Sequence, residues 1–330
     1  AWWQSDFGPY WGHNAIIRLD PFIQFCKLPE IKTAKGNILQ ILSHDLVEAV
    51  LMRRSGFEVR VYPYEDSSWE ENPTTLTEYI RRDLRWCEGN LQYIYLLTLP
   101  NLKLISRLQL ALAIFMFLGS PAWIALIIIC SISLVTLPST QETANGIYFY
   151  TFIWLALLMW YLPKVAGALN VLLNTKESQR FGGRWRFVLS LVLETLFSLL
   201  MTPIAWLNHT IFMINLALGR QGGWATQARD NHSVKISTAV KQFWPHTLLG
   251  FALIWMLYFS HQNGAYFGLL FFGGLLVSIP LAVITSQTWL GNIMMRYQIL
   301  SSPEEIVTPE ELIPLRLKAL HHQDTDREYE

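Results

Sequence analysis

Long apolar runs dominate residues 104–290, whereas residues 1–103 mix polar and apolar positions and residues 291–330 are mostly polar. A transmembrane helix needs about 20 apolar residues. The pattern therefore predicts a mixed domain over 1–103, a transmembrane helical domain over 104–290 and a polar tail over 291–330. The predicted apolar segments are 108–137, 147–173, 187–218, 246–260 and 266–290.

The mixed domain contains patterns of both strands and helices. β-branched residues in period-two alternation predict short strands over 15–19 and 58–62. A helix is predicted from Asp45 to a stop at Gly56. A second helix follows the capping box of Thr75 and Glu78 and is predicted to reach about Leu97. Alternating strands and helices favour an α/β layer, of which this chain holds the final portion.

Basic residues in the loops predict the orientation of the apolar segments. Loops 138–146 and 260–265 lack Lys and Arg, whereas loops 174–186 and 219–245 each contain four basic residues and are expected to be cytoplasmic. The segment 187–218 between the basic loops must then begin and end on one side. It is predicted to be a hairpin broken near Pro203, or a re-entrant or interfacial helix, beside four clear spans.

The amino-acid composition supports a membrane protein but excludes few other classes of function. Hydrophobic residues make up 52% of the 330 residues and charged residues only 15%, against about 25% charged in soluble domains. The zero net charge gives no indication of a nucleic-acid partner, and the three cysteines lack the spacing of a metal site. The start at Ala1-Trp2-Trp3 resembles the middle of a domain, so a piece of a longer protein is expected.

The first candidate for chemistry is Asp45, in the run Leu42-Ser43-His44-Asp45-Leu46-Val47-Glu48-Ala49. An aspartate where a loop meets a helix could act as a general base, which typically contributes about 10² to 10⁴ in rate. Alternatively, Ser43 or Asp45 caps the helix and Glu48 completes the capping box. This octapeptide alone favours the cap.

The second candidate lies on the following helix. Arg82, Arg85, Trp86 and Asn90 are spaced three or four apart and share one face. Guanidinium groups suit a diphosphate, and a flat indole suits stacking on a sugar ring. A solvated basic helix with Trp86 in the core is an equally good interpretation of these residues.

The order of these motifs resembles that of membrane-integrated synthases of glycosyltransferase family 2, such as cellulose synthase. Those proteins carry an Asp in a Thr-Glu-Asp or His-Asp context, then a Gln-x-x-Arg-Trp helix, then transmembrane spans. Three segments resemble in sequence the glucosyltransferases that build the backbone of osmoregulated periplasmic glucans. These segments are 11–18, 43–45 and 82–91. The resemblance covers essentially the whole chain.

This resemblance implies a fold and a set of roles. The fold would be a partial α/β glycosyltransferase A-type domain followed by an α-helical multi-pass transmembrane domain. Asp45 would be the catalytic base, Trp86 and His44 would bind the acceptor, and Arg82 and Arg85 would bind the donor. Arg82 departs from the Gln of cellulose synthases, which leaves its contact open. Mg²⁺ is expected, with its aspartate ligands upstream of Ala1 and none in this chain.

The implied activity is inverting transfer of glucose from UDP-glucose to a growing, β-1,2-linked glucan chain, which the attached spans would export. The implied location is the bacterial inner membrane, with the transferase domain and C-terminus cytoplasmic and other envelope glucan-synthesis proteins as partners. Trp224, Thr226 and Arg229 loosely match the gating loop of cellulose synthases, although an ordinary polar loop explains them as well.

Two other classes of function compete with this interpretation. A transporter or channel would explain the spans but not residues 1–103, and a non-catalytic membrane subunit would not need Asp45, Arg85 and Trp86. Within the spans, Glu194 could face a glucan path or be hydrogen-bonded for structural reasons.

Overall fold

A computed structural model describes residues 4–32, 38–63, 68–136, 144–220, 232–260 and 262–314. The described part is mainly helical. Its helices are α1 (Leu19–Phe25), α2 (Asp45–Arg54), α3 (Leu76–Leu91), α4 (Leu104–Thr136), α5 (Ala144–Leu173), α6 (Thr175–Arg180), α7 (Arg184–Ala217), α8 (Ile236–Ser260), α9 (Gln262–Leu276), α10 (Ser278–Thr285), α11 (Thr288–Tyr297) and α12 (Pro303–Ile306). The chain divides into two compact units, Ala1–Ile129 with Pro203–His232, and Cys130–Thr202 with Ser233–Glu330.

The α/β layer predicted for the first part is not observed. Within the described residues, the sheet consists of β1 (Ile31–Lys32) and β2 (Ile38–Leu39), which pair antiparallel. Residues 15–18 have no regular structure, and the segment 58–62 contributes only an isolated bridge between Phe7 and Val59. Period-two alternation was insufficient here because a strand also needs a neighbouring strand to accept its backbone hydrogen bonds.

The two helices predicted in this part are confirmed. α2 begins at Asp45 and ends at Arg54, and Gly56 follows with φ of +88° as its stop. α3 begins after Thr75, whose side chain accepts a hydrogen bond from the Glu78 backbone N–H at 3.3 Å. It ends at Leu91 rather than Leu97, and a 3-10 turn over Gln92–Tyr95 continues the chain.

The core of the first unit lies where α1, α2, the 3-10 turn and the start of α4 meet. Its buried members come from α2, the 3-10 turn, α4 and the segments that flank these elements and α1; they are Cys26, Ile31, Leu46, Val47, Val50, Leu51, Tyr93, Leu96, Leu102, Leu110 and Ile114. Complete burial of each such aliphatic side chain contributes about 1.5–3 kcal/mol relative to exposure. The core therefore fixes α2 relative to the chain that follows α3.

Among the described residues, three helical segments are long and apolar enough to cross a membrane: Leu104–Ser133, Trp154–Leu173 and Arg184–Ala217. Of the alternatives predicted for 187–218, the hairpin broken near Pro203 is wrong, because α7 is one helix of 34 residues that contains this proline, and the re-entrant or interfacial helix stays a prediction. Thr202 Oγ1 donates to the Ser198 carbonyl at 2.6 Å in the same turn. Proline is tolerated inside apolar helices when the neighbouring turn and side chains accommodate the freed backbone groups.

The predicted span 266–290 is interrupted. α9 contains a kink at Phe272 and ends at Leu276, and α10 begins at Ser278. Close backbone approaches between helices explain two glycines of this unit, since a Cβ at Gly250 would lie 2.6 Å from the Leu276 nitrogen and one at Gly274 would overlap the Leu200 carbonyl. The single span predicted here is therefore two shorter helices.

Two further parts of the second unit have defined structure. Glu194 pairs with Lys164 and accepts a hydrogen bond from Ser198 Oγ at 2.7 Å, which gives this carboxylate the hydrogen-bonded environment of the structural interpretation. The beginning of the predicted polar tail is folded, because it contains α11 and α12 and the Leu300 backbone N–H donates to Ser190 Oγ at 2.8 Å.

Candidate functional site

Asp45 is the first residue of α2, and the helix-capping interpretation of its segment is wrong. The N-cap position is occupied by His44, whose side chain makes no capping hydrogen bond. The Ser43 hydroxyl instead contacts the Tyr93 hydroxyl at 3.0 Å. The Asp45 side chain is 25% exposed, so its carboxylate is accessible to solvent although neighbouring residues cover most of the side chain.

His44, Asp45 and Glu48 form one polar cluster at the start of α2. His44 Nδ1 lies 2.9 Å from Glu48 Oε1 and 3.4 Å from Asp45 Oδ1. Burial raises the pKa of Glu48, the neighbouring His44 opposes this rise, and the Asp45 carboxylate adds to it. The arrangement gives the two carboxylates different environments, with the Glu48 side chain 11% exposed and the Asp45 side chain 25% exposed.

The loop at Tyr10 and Gly12 lies directly against this cluster. Gly12 has φ of +83°, and a Cβ at this position would overlap Asp45 Oδ1 and lie 2.7 Å from Asp45 Cγ. Burial raises the pKa of Tyr10, and the Glu48 and Asp45 carboxylates raise it further. Only glycine combines this backbone conformation with such a close approach to the carboxylate.

The sequence predicts Asp45 as the base of a sugar transfer. Replacing Gly12 with Ala is therefore expected to lower the rate of this transfer by the full-length protein at least about tenfold, because a new methyl group would displace the Asp45 carboxylate. Gly56→Ala is the matched control. Gly56 also has positive φ, at +88°, but open space lies around its Cβ position. Both variants introduce backbone strain of about 1–2 kcal/mol, so equal losses of turnover in the two would show that strain rather than displacement is responsible.

α3 presents the second candidate group, and the core interpretation of Trp86 is wrong because its side chain is 45% exposed. The Arg82 guanidinium lies 4.8 Å from the centroid of the Trp86 ring, a cation–π contact. Arg82 and Arg85 are partly buried, so α3 is not a freely solvated basic helix either. Asn90, assigned to the same face, is buried with 7% exposure.

The two candidate segments meet where α3 passes the loop before Asp45. A Cβ at Gly89 would lie 2.5 Å from Ser43 Cβ and 2.9 Å from the Ser43 nitrogen. Gly89 is one helical turn beyond Arg85 and Trp86, and Ser43 is two residues before Asp45. The absence of a side chain at Gly89 thus lets the basic, aromatic helix pack directly against the segment that leads into Asp45.

Two residues that sequence reasoning missed hold the same loop. Gln92 accepts a hydrogen bond from the Leu42 backbone N–H at 2.9 Å and donates to the Gln40 carbonyl at 3.2 Å. The Tyr93 hydroxyl donates to the Ser43 carbonyl at 3.0 Å. Gln92 and Tyr93 follow Gly89 by three and four residues, a spacing that places side chains on the same helix face. This spacing is the feature of the sequence that could have identified them.

A buried polar chain joins α3 to two of the long helices of the same unit. His209 of α7 contacts Asp83 Oδ2 of α3 through Nε2 at 2.6 Å and Ser120 Oγ of α4 through Nδ1 at 2.9 Å. The Asp83 and His209 side chains are only 13% and 9% exposed. Polar groups buried to this extent need hydrogen-bond partners. Because Asp83 lies between Arg82 and Arg85 in the sequence, its contact with His209 fixes the rotation of α3 about its axis at these residues.

The third predicted group lies outside the described residues. Trp224, Thr226 and Arg229 fall in the segment 221–231, which the structure does not describe. Their role as a gating loop stays a prediction.

Comparison with known families finds a match in the first half of the chain. The family profile described as Glycosyl transferase family group 2 matches residues 4–164, which include Asp45, Arg85 and Trp86. No solved structure matches the chain.

Curated relatives with one shared name cover nearly the whole chain. Proteins named "Glucans biosynthesis glucosyltransferase H" are 34% identical over 328 residues in Pseudomonas putida (strain W619) and 31% identical over 327 residues in Xanthomonas campestris pv. campestris (strain B100). The alignments include 94% and 95% of this chain but only 38% and 50% of those relatives. A protein of the same name from Ralstonia nicotianae is 34% identical over 96% of this chain and 38% of its own length.

Proposed function

We propose that this chain belongs to an inverting membrane glucosyltransferase that elongates the backbone of osmoregulated periplasmic glucans from UDP-glucose. Residues 4–164 match the profile of Glycosyl transferase family group 2, which supports this proposal. The observation that carries the proposal is the packing of Gly89 against Ser43. This contact brings the segment of Asp45 to the helix of Arg85 and Trp86. The shared name of the relatives supports glucose as the transferred sugar.

Asp45 is the proposed general base. Its carboxylate accepts the proton of an acceptor hydroxyl as the hydroxyl oxygen forms a bond to the anomeric carbon of the donor glucose. The bond between that carbon and the diphosphate oxygen breaks, and UDP leaves with the electron pair. One carboxylate suffices for this inverting displacement, and the partial exposure of Asp45 gives a substrate access to it.

Arg82, Arg85, Trp86 and His44 are the proposed substrate contacts. The guanidinium groups stabilise the negative charge of the departing diphosphate. Trp86 offers an exposed indole for stacking on the acceptor sugar, while Arg82 lies over the same ring. His44 is half exposed and its Nδ1 is engaged by Glu48, so Nε2 is the nitrogen that would bind an acceptor hydroxyl.

The polar cluster of His44, Asp45 and Glu48 does not suit Mg²⁺. Its possible ligand atoms lie within 4.8 Å of one another but include an imidazole nitrogen. Mg²⁺ prefers oxygen ligands in octahedral geometry, and His44 is already hydrogen-bonded to Glu48. We therefore place the ligands of the divalent metal common in this family elsewhere in the full-length protein.

The three long apolar helices support a membrane location. We extend the proposal to the bacterial inner membrane, with residues 1–103 and the C-terminus on the cytoplasmic side where UDP-glucose is available. The helices within 104–290 would then conduct the elongating glucan outward. The β-1,2 linkage is proposed from the resemblance to glucan glucosyltransferases.

Membranes that contain the full-length protein, supplied with radiolabelled UDP-glucose, are expected to accumulate a labelled polymer that β-glucan-specific hydrolysis converts to glucose oligomers. Membranes from the same cells without the protein provide the background. Linkage analysis of the polymer distinguishes β-1,2 from other linkages. Absence of incorporation above background with UDP-glucose would refute the proposed activity.

A further inference from the structure

The loop that precedes Asp45 is held by side chains that lie beyond the Arg85-Trp86 pair. Gln92 bonds two backbone groups of this loop, the Leu42 N–H and the Gln40 carbonyl, with one amide. Such a bidentate contact fixes both the position and the orientation of the loop. Gln92 is 6% exposed, so water competes little for these bonds.

Tyr93 secures the next step of the same loop. Its hydroxyl donates to the Ser43 carbonyl and also lies 3.0 Å from Ser43 Oγ. Burial raises the pKa of Tyr93 to about 12, so the hydroxyl remains a hydrogen-bond donor throughout the physiological range. The ring is 1% exposed and belongs to the core, which makes it a rigid support.

We propose that Gln92 and Tyr93 are positioning residues that set the location of the Asp45 carboxylate relative to Arg85 and Trp86. The two groups of hydrogen bonds and the Gly89 contact tie residues 40–43 to the end of α3. Asp45 follows this tied segment after a single residue, His44. This inference rests on the proposed function, in which Asp45 is the base.

The chemistry explains why such a support matters. A misplacement of a reacting group by about 1 Å can lower the rate by about 10²-fold. The loop has no regular structure of its own between β2 and α2, so its geometry depends on these side-chain bonds. The backbone of Gly12 lies against the Asp45 carboxylate and limits how far it can move.

The test uses Tyr93→Phe and Gln92→Met in the full-length membrane protein. Each variant preserves most of the side-chain volume and removes the hydrogen bonds to the loop. Turnover is expected to fall about 10- to 100-fold, with the KM for UDP-glucose within about twofold of wild type because the variants do not alter Arg82 or Arg85. Tyr95→Phe is the matched control, since Tyr95 is 51% exposed, and it should retain wild-type turnover.

A double-variant comparison separates positioning from general destabilisation. Asp45→Glu retains a carboxylate in a displaced position and hence a measurable rate. If Tyr93 acts through Asp45, adding Tyr93→Phe to Asp45→Glu lowers turnover much less than it does in the wild-type background. Ser43→Ala provides a second probe of the same contact if Tyr93→Phe does not fold, and it is expected to lower turnover with unchanged donor KM.

Three results would overturn the inference: wild-type turnover in the folded variants, a rise in donor KM that accounts for the loss, or equal losses of turnover in the two backgrounds. Thermal inactivation midpoints identify the folded variants. Asp45→Asn, measured in parallel, reports on the proposed function itself. An active Asp45→Asn protein refutes the base assignment, whereas an inactive one with unaffected Tyr93→Phe and Gln92→Met variants refutes only the positioning role.

Discussion

Glucose transfer by the full-length protein is expected to fall about 10²- to 10⁴-fold when Asp45 is replaced with Asn. The amide has the size of the carboxylate but cannot accept the proton of the acceptor hydroxyl. Binding of UDP-glucose should remain, because the proposed diphosphate contacts of Arg82 and Arg85 are unchanged. Turnover measured by incorporation of labelled glucose, beside equilibrium binding of UDP-glucose, checks both expectations.

Asp20→Asn is the matched control for this experiment. Asp20 also lies in the first turn of a helix, α1, but is exposed and makes no proposed contact with substrate. The two substitutions remove one negative charge from comparable positions of a helix. Transfer by Asp45→Asn within a few-fold of wild type would remove Asp45 from the role of base.

Replacing Trp86 with Ala is expected to raise the KM for the acceptor glucan about tenfold, with a smaller change in donor binding. Loss of an aromatic stacking partner costs about 0.5–1.5 kcal/mol beyond the area buried, and about 1.4 kcal/mol corresponds to a factor of ten. Trp86→Phe keeps a flat ring and the surface for Arg82, so most of the acceptor affinity should return. Steady-state kinetics with each substrate varied in turn separate the two effects.

Trp185→Ala controls for the removal of an exposed indole, since Trp185 is 80% exposed at the start of α7 and lies outside the proposed site. It should leave both KM values unchanged. If Trp86→Ala weakens the donor and the acceptor equally, the indole does not serve as an acceptor platform. Such a result would instead indicate that Trp86 orients Arg82, whose guanidinium lies over the ring.

Both expected results depend on how Asp45 is positioned relative to α3, and specific contacts hold each part of this arrangement. Asp45 is located by the start of α2 and bounded by Gly12. The rotation of α3 is fixed by the hydrogen bond of Asp83 to His209. The link between them is the segment 40–43, which Gly89, Gln92 and Tyr93 contact. The candidate site is therefore built from short polar contacts rather than from an extended sheet.

The sequence by itself determined the features that depend on local chemistry. The stop at Gly56 predicted the end of α2, and the Thr75 cap predicted the start of α3. Both signals act within one helical turn. Apolar composition predicted the long helices α4 and α5. The order of Asp45, Arg85 and Trp86 predicted a glycosyltransferase, and the profile of Glycosyl transferase family group 2 matches the part of the chain that contains them.

Only the tertiary structure decided what these elements contact. Within the described residues, the segment 58–62 pairs only through an isolated bridge between Phe7 and Val59. Pro203 is accommodated within α7, and the predicted span 266–290 is interrupted after Leu276. Likewise, no local pattern places Gly12 against Asp45 or the Tyr93 hydroxyl on Ser43. Contacts between residues tens of positions apart depend on how the whole core packs, and a hydrophobic period records only which face is buried.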